Sequence, residues 1–443
     1  MKKMLFLYIF CALLGASLTG CTAVQNTAAV QNTKAAETAA AENAAAENAA
    51  GVQNTSAATP TTAPAETDFP TPANALPPNA AQGADDGGAD AATATPDVRA
   101  GPTPTRTPTK VFIFNAAPTA TFRPSPVPPA GAVYRLNARL GRGVNLGNAL
   151  EAPKEGDWGV KLQADYFPLI RKAGFDHVRV PIRFSAHAAA AAPYALDPTF
   201  MARIDWVVQQ ALDNDLAVIL DFHGFDEIMQ NPDAQAERFT AIWAQLAERY
   251  QNAPDTVYFE LLNEPSANLI SGTWKQLVLD ALAVIRKSNP ARAVIVGPAG
   301  WYAVGNLPTL SLPEDDRALI VSVHFYDPFH FTHQGAEWAE GSNAWLGTQW
   351  QGVYTDTIQI TSALDDAARW AAEQDRPLYL GEFGAYSKAD MDSRARWTNY
   401  VARTAESLGM SWAYWEFCAG FGVYDPDAKA WRAPLLTALL GSR

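Results

Sequence analysis

Leu261-Leu262-Asn263-Glu264-Pro265 and Leu378-Tyr379-Leu380-Gly381-Glu382-Phe383-Gly384 each close a run of apolar, β-forming residues on a carboxylate. An ionised side chain is costly to bury unpaired, so a glutamate placed where a strand leaves a core points to chemistry. Outward from these two stretches, short β-branched runs alternate with longer amphipathic patterns. The spacing predicts strands over Gly143–Gly147, His177–Ile182, Ala217–His223, Val257–Glu264, Ala293–Pro298, Ile320–Tyr326, Pro377–Phe383 and Ser411–Phe417. Helical patterns such as Lys161–Ala173, Phe200–Asp213, Ala234–Tyr250 and Ser362–Gln374 fall between them. Strand followed by helix, repeated, is the pattern of parallel crossover units, and eight units over about 250 residues close into a (β/α)8 TIM barrel of the α/β class. A doubly wound sheet fits less well, because no Gly-rich phosphate loop follows any strand.

The chain of 443 residues is uneven in composition, so its ends are read separately. Met1-Lys2-Lys3, an apolar stretch from Leu5 to Leu14 that is too short to span a bilayer, and Leu18-Thr19-Gly20-Cys21 together resemble a bacterial lipoprotein signal over residues 1–20. That resemblance implies export and a lipid on Cys21, which would tie the chain to a membrane face of the cell envelope; an ordinary secretion signal would instead leave it extracellular. Residues 21–132 are rich in Ala, Thr, Pro, Asn and Gln and hold too few large apolar side chains to offset the entropy of ordering. This stretch reads as a disordered tether, with Pro-rich runs that stiffen a spacer. Ala23-Val24-Gln25-Asn26-Thr27 recurs at residues 29–33 as low-complexity duplication, and Val111-Phe112-Ile113-Phe114 interrupts the tether. The catalytic domain is expected over 133–443.

With Cys21 modified and Cys11 in the signal, Cys418 is left alone and no disulfide is expected. It reads as a buried small hydrophobe. A net charge of −13 argues against nucleic acid as a partner. No cofactor is implied. His330-Phe331-Thr332-His333 has no third ligand for zinc, and no loop carries calcium-ligand spacing.

In a TIM barrel the chemistry sits at the carboxyl ends of the strands. Those ends carry Asn145 and Asn148, Arg179, His223, Asn263 and Glu264, His324 and Tyr326, Glu382, and Trp415. Taken singly, each has a structural explanation: a first-turn acid before Pro265, a satisfied core histidine, or an indole packed in the core. Together, two carboxylates at one barrel mouth with arginine, amide and aromatic support are the apparatus of glycoside hydrolysis.

Residues from about 133 onward resemble glycoside hydrolase family 5, the cellulase family. The family's order of Arg, His, Asn-Glu, His-x-Tyr, Glu and Trp falls on Arg179, His223, Asn263-Glu264, His324-Phe325-Tyr326, Glu382 and Trp415. Gly141–Pro153 and Thr332–Trp338 look more narrowly like a subgroup active on both β-1,4-glucan and mannan, although His223-Gly224 replaces that subgroup's His-His. The resemblance implies a retaining endo-β-1,4-glycanase with Glu264 as acid/base and Glu382 as nucleophile. It also implies sugar contacts from Asn148, Glu151, Arg179, His223, Asn263, His324, Tyr326, Trp338 and Trp415, and a cis peptide at Trp415–Glu416. Arg179 and Tyr326 would hold Glu382 ionised, and the field of Glu382 would raise the pKa of Glu264. The expected partner is a β-glucan polysaccharide and the expected state a monomer. The alternatives are a mannanase or β-1,3-glucanase of the same family, or a non-catalytic surface protein that captures polysaccharide.

Overall fold

The computed structural model describes residues 131–441. The expected export segment, Cys21 and the expected tether as far as residue 130 lie outside the described residues. Eight strands, β1 (Arg142–Asn145), β2 (His177–Ile182), β3 (Ala217–Phe222), β4 (Val257–Glu260), β5 (Val294–Val296), β6 (Leu319–His324), β7 (Leu378–Glu382) and β8 (Ser411–Tyr414), pair in chain order. Every neighbouring pair is parallel, and β8 returns to β1 to close the barrel. The expected fold class is the observed one. Several strands stop earlier than their sequence suggests: β4 ends at Glu260, so Glu264 lies on the loop beyond it, with a left-handed φ of 47°.

Helix α1 (Ala132–Leu140) precedes the barrel and was not expected from the sequence. Helices α2 (Tyr166–Ala173), α3 (Pro198–Asp213), α4 (Asp226–Gln230), α5 (Pro232–Arg249), α6 (Ser271–Ser288), α7 (Phe329–Thr332), α8 (Tyr354–Glu373), α9 (Met391–Ser407) and α10 (Ala433–Leu440) follow. Local chemistry sets their starts. Asp197 accepts from the Phe200 N–H ahead of α3, which opens on Pro198, and Asp390 accepts from the Ser393 N–H ahead of α9. After β5 a 3-10 turn at Val304–Thr309 stands where the repeat would place a helix.

Strand residues that face outward, among them Val178, Val180, Leu220, Phe222 and Phe259, form the main core with the buried faces of the helices. Trp243 and Trp397 are fully buried there, and their indole N–H groups donate to the carbonyls of Leu261 and Asp327 at the barrel mouth. Trp206 and Trp370 pack partly buried against the same core, and Cys418 is buried and free.

Inside the barrel the amino half is apolar. Ala217, Ile219, Tyr258, Ala293, Ile295, Ile320, Tyr379 and Ala413 pack around Val133 and Leu140 of α1, which plugs this end. The plug is pinned by polar contacts: Tyr258 OH donates to the Leu136 carbonyl at 2.9 Å and Asn137 Nδ2 donates to the Leu378 carbonyl at 2.9 Å. Farther along the same strands the interior becomes polar.

Strict alternation would send Glu382 away from the axis, because Leu378 and Leu380 face the outer core. The register instead passes from Val323↔Leu380 to His324↔Glu382, leaving Gly381 as an extra residue. This bulge turns Glu382 inward. Only glycine fits there, since a Cβ at position 381 would lie 2.7 Å from Ser322 Oγ and 2.9 Å from His324 Nε2.

Candidate active site

Arg179, on β2, organises the carboxyl half of the barrel. Its Nε donates to Glu260 Oε2 at 2.7 Å, and its Nη1 donates to Asn145 Oδ1 at 2.9 Å and to Glu382 Oε1 at 2.7 Å. Its Nη2 donates to Asn263 Oδ1 at 2.8 Å and lies 3.0 Å from Asp221 Oδ2. Burial opposes the guanidinium charge, but Asp221, Glu260 and Glu382 outweigh burial and hold Arg179 firmly protonated. Three carboxylates around one cation leave an excess of negative charge. Burial pushes Asp221 up to about 7 and also raises Glu260, while Arg179 pulls both down.

A closed ring of polar contacts fixes the next layer. Asn263 Nδ2 donates to His223 Nε2 at 3.3 Å, His223 Nδ1 donates to Asp221 Oδ2 at 2.7 Å, and Asp221 and Asn263 both return to Arg179. Burial lowers His223 to about 4, which leaves the neutral imidazole this donor–acceptor pattern requires. The Asn263 amide is therefore oriented before any ligand arrives.

Glu382 is 5 % exposed. In addition to the Arg179 bond it accepts from Tyr326 OH at 2.8 Å, and burial together with the nearby Glu382 charge raises the Tyr326 phenol so that it stays a donor. Glu264 lies across from it, its Oε1 2.6 Å from His324 Nδ1. One oxygen of Glu264, one of Glu382 and a ring nitrogen of His324 all lie within 4.8 Å of one another. Burial pushes Glu264 up to about 7; Glu260 adds to the rise, while His223 and Arg179 oppose it. The main cause is thus loss of solvent, not the field of Glu382 as the sequence suggested. Burial lowers His324 to about 4, so a neutral ring faces Glu264. The trio has the donor atoms of a metal site, but both oxygens of Glu382 already accept hydrogen bonds, one from Arg179 and one from Tyr326.

Residues 141–420 match the family described as Cellulase (glycosyl hydrolase family 5). The chain belongs to glycosyl hydrolase family 5. Endoglucanase H of Acetivibrio thermocellus is 32% identical over 322 residues, which cover 71% of this chain and 34% of that protein. The chain thus spans about a third of that relative's length. The crystal structure of endoglucanase Cel5A from Thermotoga maritima is 47% identical, with a TM-score of 0.69 over 70% of this chain and 99% of Cel5A. Its complex with mannotriose matches at a TM-score of 0.68, again at 47% identity, over 69% of this chain and 99% of that one.

In this family 5 glycoside hydrolase, Trp415 joins Glu416 through a cis peptide, and its ring lies 6.0 Å from His223 with 15° between the planes. Trp338, 56 % exposed, packs against Tyr386 and Phe421, and Phe421 in turn packs against Tyr326. Glu151 lies on the loop after β1. It is buried, accepts from the backbone N–H groups of Asn148 and Ala149, and burial pushes it up to about 8, so it props the loop after β1.

Sequence reasoning passed over Asp221 and Glu260. Each is a carboxylate inside an apolar strand run, Ala217–Phe222 and Val257–Leu262, the same signal that singled out Glu264 and Glu382. It also passed over Trp301, 63 % exposed on the loop after β5. The Trp301 N–H donates to the carbonyl of Pro265, beside Glu264.

Proposed function

We propose that this chain is a retaining endo-β-1,4-glucanase in which Glu264 is the acid/base and Glu382 the nucleophile. The observation that carries this reading is the approach of the two carboxylates to within 4.8 Å. Double displacement uses a separation of about 5–5.5 Å, whereas inversion needs about 6.5–9.5 Å to admit a water. Glu382, held by Arg179 and Tyr326, attacks the anomeric carbon while Glu264 passes its proton to the departing glycosidic oxygen. The glycosyl-enzyme removes the negative charge from Glu382. Glu264, now a carboxylate, takes a proton from water, and the water displaces Glu382 with net retention. The neutral His324 ring donates its Nδ1–H to Glu264 Oε1, which leaves the other carboxyl oxygen to carry the proton given to the leaving group and later taken from water.

Asn263 has one amide hydrogen committed to His223 and a second free for the sugar 2-hydroxyl, a contact that strengthens as the ring flattens. Trp415 gives the sugar an apolar face, with His223 beside it. Trp301 stands on the Glu264 side, where the leaving sugar departs, and Asn148 and Trp338 flank the cleft on other loops. Glu151 acts by holding Asn148. Mannan is a second candidate substrate, favoured by the likeness to the mannotriose-bound Cel5A. Rates on carboxymethylcellulose, mixed-linkage β-glucan, galactomannan and laminarin provide the test. The reading expects the β-1,4-glucans to be cleaved fastest, and cleavage of laminarin alone would overturn it.

For the amino-terminal part we propose an exported, monomeric enzyme anchored through a lipid on Cys21 and held off the membrane by the tether expected over residues 21–132. A Cys21→Ala variant is then expected to move from the membrane fraction to the medium; retention in the membrane fraction would contradict the anchor.

A further inference from the structure

Beside the carboxylate pair lies a small apolar cluster separate from the main core. Ala336, Tyr386 and Phe421 are buried in it, and Tyr326 and Trp415 pack against it. The donor to Glu382 and the expected sugar platform thus rest on the same few side chains. Phe421, 3 % exposed, links them: its ring lies 6.2 Å from that of Tyr326 with 65° between the planes, and 5.6 Å from that of His333 with 66°. His333 is the other ring against Tyr326, at 5.0 Å, so both supports of the Tyr326 ring involve Phe421. Phe421 also borders the chain just past Glu382. A Cβ on Gly384 would lie 3.2 Å from Phe421 Cδ1 and 2.1 Å from the Trp415 carbonyl oxygen, so only glycine lets these segments meet.

The backbone of Phe421 is held from both sides. Its N–H donates to Glu416 Oε1 at 3.0 Å, and its carbonyl accepts from Tyr414 OH and from Arg394 Nη2, each at 2.9 Å. Glu416 Oε2 accepts from the N–H groups of Cys418 and Ala419, each at 2.7 Å. One fully buried carboxylate, next in the chain to Trp415, therefore gathers three backbone donors of the loop after β8. Burial pushes Glu416 up to about 7, while these backbone bonds and Arg394 pull it down. Such a group is costly to bury, and it is spent on the shape of a turn that delivers Phe421.

The bond from Tyr326 OH to Glu382 Oε2, 2.8 Å long, depends on where the phenol ring is held, because a hydrogen bond weakens steeply once its donor is turned aside. A first group locked by packing and by a second set of hydrogen bonds keeps that aim without reorganising.

We propose that Phe421 is a positioning residue for hydrolysis, held in place by Glu416, and that it acts by fixing the Tyr326 ring so that its hydroxyl points at Glu382. The inference rests on the reading of Glu382 as the nucleophile.

The test measures kcat on a short chromogenic cello-oligosaccharide. Phe421→Leu keeps the site apolar and most of the buried volume, and Glu416→Gln puts an amide NH2 among backbone donors; each is expected to lower kcat by roughly three- to tenfold. The deciding readout is a double-mutant cycle with Tyr326→Phe. Phe421→Leu should lower kcat when Tyr326 is present and lower it no further in the Tyr326→Phe background. An equal fall in both backgrounds, the mark of a purely structural role, overturns the proposal. Parental kcat in both Phe421→Leu and Glu416→Gln overturns it too, as does parental kcat in Tyr326→Phe, which would leave no aim to lose. Should Phe421→Leu fail to fold, the same cycle run with Glu416→Gln decides. Failure of the parent to cleave the oligosaccharide, or parental activity in Glu382→Gln, defeats the underlying reading instead, so the two failures are told apart.

Discussion

Ile219, Tyr258 and Ile320 close around α1 at the amino end of the barrel, whereas two residues later on the same strands Asp221, Glu260 and Ser322 face the same axis. The first layer is largely apolar surface removed from water, with Tyr258 and His177 bonded to α1 and Tyr379 bonded to His177. The second sets three carboxylates against one guanidinium and lets burial shift the pKa of several groups. Burying ions in this way costs stability unless every partner is in place. The comparison teaches that the fold is held from below while its upper half is strained electrostatically for chemistry, on the same strands and within one side-chain period.

Substitutions on either side of that divide should separate the two roles. The largest effect is expected at Arg179. Arg179→Ala leaves Asp221, Glu260 and Glu382 without their cation, so we expect a loss of about 3–5 kcal/mol in urea unfolding together with loss of measurable hydrolysis. Wild-type-like stability in this variant would break the comparison. Glu264→Gln should lower hydrolysis by about 10²–10⁴-fold with the melting temperature held or raised, since a desolvated carboxyl becomes a neutral amide. Ile320→Ala, in the apolar layer, should cost about 2–5 kcal/mol of stability yet leave kcat near the parental value. Tyr326→Phe removes one donor from Glu382 and should raise the barrier by about 1.5–3 kcal/mol, read as a fall in kcat. The mildest probe is pH. Glu264, raised to about 7 by burial, carries its proton below that value and loses it above, so activity should fall as pH rises through about 7. A plateau extending well past pH 8 would contradict the assignment.

How much of this was legible in sequence differs between the two layers. The apolar runs and the carboxylates that end them gave the strand order and the central pair, because a charge at the edge of a hydrophobic run stands out. The inward turn of Glu382 depends on the Gly381 bulge, a one-residue register shift that no local pattern reveals. Asp221 and Glu260 were hidden because period-two alternation inside a barrel mixes inward polar with outward apolar residues, and the run still reads as apolar. Helix α1 was missed because Ala132–Leu140 follows directly on a low-complexity stretch and gains its structure from the barrel end it plugs. The two bonds that Glu151 accepts from the Asn148 and Ala149 N–H groups depend on the turn of the loop after β1, which no local pattern reveals.

The central claim is that Glu264 and Glu382 act from opposite sides of one anomeric carbon by double displacement. Proton NMR of the first product formed from a β-1,4-linked oligosaccharide, recorded before mutarotation, tests this most directly. The account predicts the β-anomer at early times; the α-anomer as first product would contradict it.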